Sequence, residues 1–133
     1  KEDGGDSLPE RVGDLLAARS PAPGEVVVSS LSPEKVAPLR RRFPDLLIAY
    51  EIVDVTPAVV ETLAAAPDAH RLVVSGLHFS TRSPEAFRRA RELGLRTSSF
   101  TINRYDALEQ ALAAGVDYIQ TDRPDRALWL RNR

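Results

Sequence analysis

Polar side chains that can bind or position a small ligand follow two apolar segments near the end of the chain. The set comprises Thr101, Asn103, Thr121, Asp122 and Arg123. The segments 97–102 and 118–121 are predicted strands, and the segment between them, 105–114, is a predicted helix. Two strands joined by one helix of this length indicate a parallel crossover. Because parallel sheets bind ligands at the carboxyl ends of their strands, this edge is the predicted site.

Other residues with chemical potential give weaker patterns. Glu51 ends an earlier predicted strand, where it either faces the same edge or is an ordinary rim charge. Asn103 either hydrogen-bonds a ligand or caps the following helix. His70 and His78 lie in different loops without spaced carboxylates, which is a poor metal-site pattern. The sequence around Ser29 shows neither a general base nor a nucleophile elbow, so serine catalysis is not predicted.

Composition excludes several classes of protein. With 133 residues and 43% apolar residues, the chain is long enough for one domain with a modest core. The net charge of −1 argues against nucleic-acid binding, so the arginine run 40–42 is predicted to be a solvated helix face. There is no cysteine, hence no thiolate zinc site, and no apolar run is long enough to form a transmembrane segment. Because the sequence starts at Lys1 without Met, we expect a mature, trimmed or partial chain.

A repeated β/α pattern positions the candidate site. Predicted strands begin near residues 26, 46, 72, 97 and 118, and a predicted helix separates each pair. Three helices open with Ser-Pro or Thr-Pro. The first helix of the chain is predicted to begin at Ser7, which has capping-box spacing to Glu10. Pro38 is expected to kink or delay its helix. Five parallel strands form either an open sheet or an arc of a (β/α)8 barrel, whose usual length of about 250 residues is roughly twice that of this chain.

Three segments resemble those of glycerophosphodiester phosphodiesterases. Residues 99–103 are similar to the family's W-T-x-N segment, with Phe100 in place of Trp, and residues 115–124 are similar to its G-V-D-x-I-x-T-D-x-P ending. Residues 26–34 are similar to its v-v-v-S-S-F-x-P-E segment, with Leu31 in place of Phe. The resemblance implies an α/β fold in which residues 1–133 are the C-terminal portion of one TIM (β/α)8 barrel domain of the phospholipase C-like type. Four upstream strands would make nine in total, so segment 72–75 is expected to be irregular or to replace another strand.

The resemblance also implies hydrolysis of glycerophosphodiesters to sn-glycerol 3-phosphate and an alcohol. The family's catalytic histidines and acidic metal ligands would lie upstream, so this chain would supply no metal ligand. Lys1 would match the lysine of the family's Glu-x-Lys motif and place positive charge near a phosphoryl oxygen. Phe100, Asn103 and Glu51 would bind substrate. The implied cofactor is a divalent cation, Ca²⁺ or Mg²⁺, held by carboxylates outside this chain.

A half barrel would leave two open sheet edges and an exposed interior. The expected partner is therefore the upstream half of the same barrel, or another chain. Three interpretations remain open. The chain is part of an enzyme and inactive alone, or a non-catalytic half-barrel that binds or self-assembles, or part of a barrel that has lost catalysis and retains ligand binding.

Overall fold

The computed structural model describes residues 8–133, in which five β-strands alternate with helices. The strands are β1 (Val27–Ser30), β2 (Leu47–Ile52), β3 (Leu72–Leu77), β4 (Arg96–Phe100) and β5 (Tyr118–Ile119). The α-helices are α1 (Leu8–Arg19), α2 (Pro33–Arg42), α3 (Pro57–Ala64), α4 (Phe79–Arg82), α5 (Pro84–Glu92), α6 (Tyr105–Ala113) and α7 (Pro124–Arg131). A 3₁₀ helix, Ala69–Arg71, precedes β3. The predicted capping role of Ser7 lies outside the described residues.

All neighbouring strands are parallel, and their spatial order is β1-β2-β3-β4-β5. Each strand therefore pairs with the strand before it and the strand after it in sequence. A doubly wound sheet reverses its order at a switch point, whereas a barrel does not. Eight strands close such a barrel, so the strand order is that of a five-strand arc.

The two faces of the sheet have different neighbours, because successive side chains of a strand alternate between faces. On the outer face, Ile48 and Val74 belong to clusters that include buried residues of the helices, such as Val36 of α2 and Leu108 of α6. On the inner face, a separate cluster contains residues of strands alone. Its members are Val27, Leu47, Ala49, Val73 and Tyr118. One helix-covered face and one face of strand side chains are the layers of a barrel wall.

The structure corrects the expectation for the third strand. β3 is regular, pairs with a strand on each side, and buries its first five residues. The prediction that segment 72–75 is irregular is therefore wrong, whereas its alternative, that the segment replaces another strand, stays a prediction. The segment's run of apolar and small residues suits the most enclosed position of a parallel sheet.

Local sequence explains most helix starts but not the short helix α4. Thr56 accepts a hydrogen bond from the Val59 amide at 3.3 Å, and proline occupies the first turn of α2, α3, α5 and α7. Helix α2 begins at Pro33 and continues past Pro38 to Arg42, so the proline does not delay the helix. The short helix α4 was not predicted, since its four residues give no periodic signal.

Candidate functional site

The inner face carries a row of polar side chains just below the carboxyl edge. The strand register aligns Glu51 with Ser75, Ser75 with Ser98, and Ser98 with Tyr118. We call these four residues the polar row. Ser75 and Ser98 are buried, whereas Glu51 and Tyr118 are half-buried. This row gives the barrel arc a carboxylate, two hydroxyls and a phenol at one level.

Phe100 lies one level closer to the carboxyl edge of the sheet, which we call the mouth. It is two residues beyond Ser98 on β4 and therefore on the same face, in register with Leu77 of β3. It is half-buried and belongs to none of the apolar clusters formed by residues 8–133. The structure thus brings two predicted site residues, Glu51 and Phe100, to the inner face near the carboxyl edge, and their binding role stays a prediction.

Asn103 joins the loops that follow β4 and β5. Its Nδ2 donates to Asp122 Oδ2 at 2.7 Å, and its Oδ1 accepts from the Asp122 amide at 2.9 Å and from Thr121 Oγ1 at 3.2 Å. The expectation that Asn103 caps the next helix is wrong: Arg104 is the N-cap residue of α6 and makes no side-chain cap bond. Asn103 is exposed at the mouth, where its ligand contact stays a prediction.

His78 makes the turn from β3 into α4 in the left-handed backbone region, with φ 48° and ψ 47°. Non-glycine residues adopt this conformation uncommonly. Backbone hydrogen bonds hold it: the His78 amide donates to the Phe100 carbonyl at 3.0 Å, and its carbonyl accepts from the amides of Thr81 and Arg82. This turn ties the carboxyl end of β3 to the residue that lines the mouth on β4.

Asp117 is a positioning residue that the sequence analysis did not single out. Its Oδ2 accepts hydrogen bonds from the backbone amide of Thr97 at 2.7 Å and from Thr97 Oγ1 at 2.8 Å. These bonds join the start of β4 to the start of β5. The Gly-Val-Asp motif could have indicated this role, because its aspartate directly precedes the strand β5. A strand of two residues makes few backbone hydrogen bonds, so side-chain bonds are needed to hold it in place.

A charged cluster lies just before the amino end of β3. Asp68 accepts hydrogen bonds from Arg40 and Arg71, and Arg40 also donates to the Tyr50 hydroxyl at 2.6 Å. The Arg40 guanidinium is the main reason that the pKa of Asp68 lies below its ordinary value. The prediction of a solvated face for the run 40–42 therefore fits Arg41 and Arg42, which are exposed, whereas the half-buried Arg40 is paired with Asp68.

The described part of the chain contains no group of three or more His, Cys, Asp or Glu residues that could hold a metal ion. Lys1, the predicted phosphate-facing lysine, lies outside the described residues.

A cavity of about 430 Å³ lies between α1, β1 and α2, next to the unpaired edge of β1. Its lining includes no member of the polar row. No helix within residues 8–133 has both the length and the apolar character to cross a membrane.

Comparison with known protein families shows which family this chain belongs to. The sequence profile of the Glycerophosphoryl diester phosphodiesterase family matches residues 5–126. The chain belongs to this family. The resemblance found in residues 26–34, 99–103 and 115–124 is thereby confirmed. No protein of curated function matches the sequence.

Solved structures of several phosphodiesterases share the fold. A phosphodiesterase of Oleispira antarctica, in complex with the product sn-glycerol-3-phosphate, superposes with a TM-score of 0.76 at 15% identity and covers 94% of this chain and 49% of its own. Glycerophosphodiester phosphodiesterases of Agrobacterium tumefaciens and Parabacteroides distasonis give TM-scores of 0.67 and 0.65 at 18% and 17% identity. They cover 94% and 97% of this chain and 52% and 55% of their own chains. The chain thus spans about half the length of these structures, and the predicted partial TIM barrel is confirmed.

Proposed function

We propose that this chain is the C-terminal portion of a metal-dependent enzyme that hydrolyses glycerophosphodiesters to sn-glycerol 3-phosphate and an alcohol. The observation that supports it is the family match over residues 5–126. A second support is the Oleispira antarctica phosphodiesterase, whose structure holds sn-glycerol-3-phosphate and resembles this chain in fold. In this proposal residues 1–133 belong to a single barrel domain.

The proposed task of this chain is to bind and orient substrate. Phe100 would offer an apolar face to the glycerol carbons, and the Glu51 carboxylate would accept hydrogen bonds from hydroxyl groups. Asn103 would hold the loops after β4 and β5 and offer its amide to the ligand. Lys1 would place positive charge beside a phosphoryl oxygen.

The proposed cofactor is one divalent cation, Ca²⁺ or Mg²⁺, bound by carboxylates on the strands that precede this arc. When bound, it would polarise the phosphodiester and neutralise developing negative charge. Oxygen ligands suit these cations.

The distribution of exposed apolar side chains supports an upstream partner segment. Strands β1 and β5 each pair on one side within the described residues. Large apolar side chains are exposed in or beside the elements at both edges. Near β1 these are Leu8, Leu15 and Leu31, and near β5 they are Tyr105, Leu128 and Trp129. Three further β/α units of the same protein would cover both groups and close an eight-strand barrel.

The same open edges favour one alternative, in which the half barrel is a non-catalytic module that binds a ligand or assembles with itself. The two functions differ in turnover. We therefore suggest assaying the intact protein with glycerophosphocholine and Ca²⁺ or Mg²⁺ and measuring release of sn-glycerol 3-phosphate. We expect turnover that a chelator abolishes and added metal restores, whereas an intact protein without turnover would contradict the proposal.

In the same assay, Lys1→Ala should reduce kcat by the equivalent of about 3 kcal/mol, which is typical for the loss of one electrostatic contact to the transition state. An unchanged kcat would show that Lys1 does not face the phosphate. Arg19→Ala, at the exposed end of α1, is the matched cation control and should leave kcat unchanged.

A further inference from the structure

The polar row contains a buried hydrogen-bond donor without an acceptor. Ser75 is fully buried, and its Oγ is the one buried side-chain polar atom within residues 8–133 that has no hydrogen-bond partner. Buried hydroxyl groups are nearly always hydrogen-bonded, since leaving one unpaired sacrifices its hydration without replacement. Ser75 therefore calls for a specific partner.

The adjacent residue of the row is an acceptor without a donor. Glu51 is the register partner of Ser75 on the neighbouring strand, and its carboxylate makes no ion pair or hydrogen bond with the rest of residues 8–133. Neighbouring strands lie about 4.8 Å apart, so side chains at paired positions on one face are in reach of each other. A hydroxyl hydrogen rotates freely to meet an acceptor, and a carboxylate is the strongest acceptor that a side chain offers.

Ser98, on the other side of Ser75, is the weaker candidate acceptor. Neither flanking side chain bonds to Ser75 Oγ in this structure, and a serine hydroxyl accepts less strongly than a carboxylate. Of the two flanking residues, Glu51 is the half-buried one and the one that a ligand in the barrel interior can reach.

We propose that the Ser75 hydroxyl donates a hydrogen bond to the Glu51 carboxylate in the closed barrel and so aims Glu51 at the free hydroxyl groups of the glycerol moiety. Ser75 is a positioning residue, because its burial keeps it from the ligand. Closure of the barrel removes the water that competes for the Glu51 carboxylate, which strengthens the bond. Ser75 and Glu51 thereby set the preference for a phosphate ester with neighbouring hydroxyl groups. This inference depends on the proposed function, since it takes the glycerophosphodiester as ligand.

The test measures binding to the intact protein by calorimetry, with sn-glycerol 3-phosphate and with 1-propyl phosphate, which lacks both hydroxyl groups. The wild type should bind sn-glycerol 3-phosphate at least about tenfold more tightly, the value of one charge-assisted hydrogen bond. Glu51→Gln and Ser75→Ala should each reduce this ratio several-fold and leave the affinity for 1-propyl phosphate unchanged. In the double variant the two effects should not add, because Ser75 acts through Glu51.

Ser99→Ala is the matched control. Ser99 is an equally buried serine of the same sheet, but it lies on the outer face. There its Oγ accepts a hydrogen bond from the Phe79 amide at 2.8 Å. This variant should lose thermal stability and keep the binding ratio. A wild-type ratio near one, an unchanged ratio in Ser75→Ala, or additive effects in the double variant would overturn the inference.

Because binding is measured without turnover, the two proposals fail separately. A protein that shows the coupled binding effects but hydrolyses no diester would refute the proposed function alone. A protein that hydrolyses the diester without these effects would refute the role of Ser75 alone.

Discussion

Asp68 provides the clearest residue-scale test of stability. Its carboxylate joins Arg40 of α2 to Arg71, and the Arg40 hydrogen bond, opposed by burial and aided by both arginine charges, lowers the pKa of Asp68. Asp68→Asn should lower the free energy of unfolding by roughly 2 kcal/mol at neutral pH, since both bonds involve charged partners. Chemical denaturation of wild type and variant gives this difference.

The pH dependence of that difference follows from the direction of the pKa shift. A carboxyl whose pKa is lower in the folded state stabilises it fully above the unfolded pKa of about 3.9, and the stabilisation is lost as pH falls through the lower folded pKa. The difference between wild type and Asp68→Asn should therefore shrink below about pH 4. An equal difference at pH 7 and pH 3 would contradict this pH dependence.

Asp14→Asn is the control, because it removes an exposed ion pair with Arg42. This variant should lower the free energy of unfolding by at most about 1 kcal/mol.

Sequence predicted which residues reach the mouth better than what they touch there. Glu51 ends one predicted strand and Phe100 lies within another, predicted over 97–102, and the strand register places both on the inner face. The partners of Asn103 were not predictable, because its bonds reach Thr121 and Asp122 across a crossover helix. The role of Ser75 was not predictable either, because a serine within an apolar run indicates no function until its neighbours on the adjacent strands are known.

At the scale of elements, Gly76 allows the short helix α4 to approach β3. A Cβ at this position would lie 2.9 Å from Val55 Cγ2 and 3.0 Å from the Cβ of Phe79, which is fully buried. Gly76→Ala should therefore destabilise the fold by about 1–3 kcal/mol through overpacking. Thermal unfolding measures the loss. In a Val55→Ala background the additional cost of Gly76→Ala should be smaller, whereas an equal cost in both backgrounds would contradict the packing argument.

Elements with a strong periodic pattern were predictable, and those fixed by few bonds were not. Helix α6, predicted over 105–114, is observed over Tyr105–Ala113. Strand β5, predicted over 118–121, has two residues, although the Gln120 amide bonds to the Ser99 carbonyl and the Gln120 carbonyl accepts from the Ile102 amide beyond its end. Helix α4 depends on the space at Gly76, which no local pattern encodes.

At the scale of the whole molecule, the exposed edges should make the isolated chain associate. Leu31 and Trp129 are 68% and 51% exposed, in segments that directly follow the two edge strands. The isolated chain should elute as a multiple of its 14.6 kDa mass. Leu31→Glu together with Trp129→Glu should shift elution toward 14.6 kDa, whereas Thr62→Glu, on the exposed side of α3, should not. A monomeric isolated chain would contradict the expected association.

We propose a division of labour in which this arc forms a substrate-binding wall and the preceding strands hold the cation and the catalytic histidines. The most direct measurement compares the release of sn-glycerol 3-phosphate from glycerophosphocholine by the intact protein and by the isolated 133-residue chain, each with Ca²⁺ or Mg²⁺. We expect turnover by the intact protein and none by the isolated chain. Turnover by the isolated chain would contradict the account.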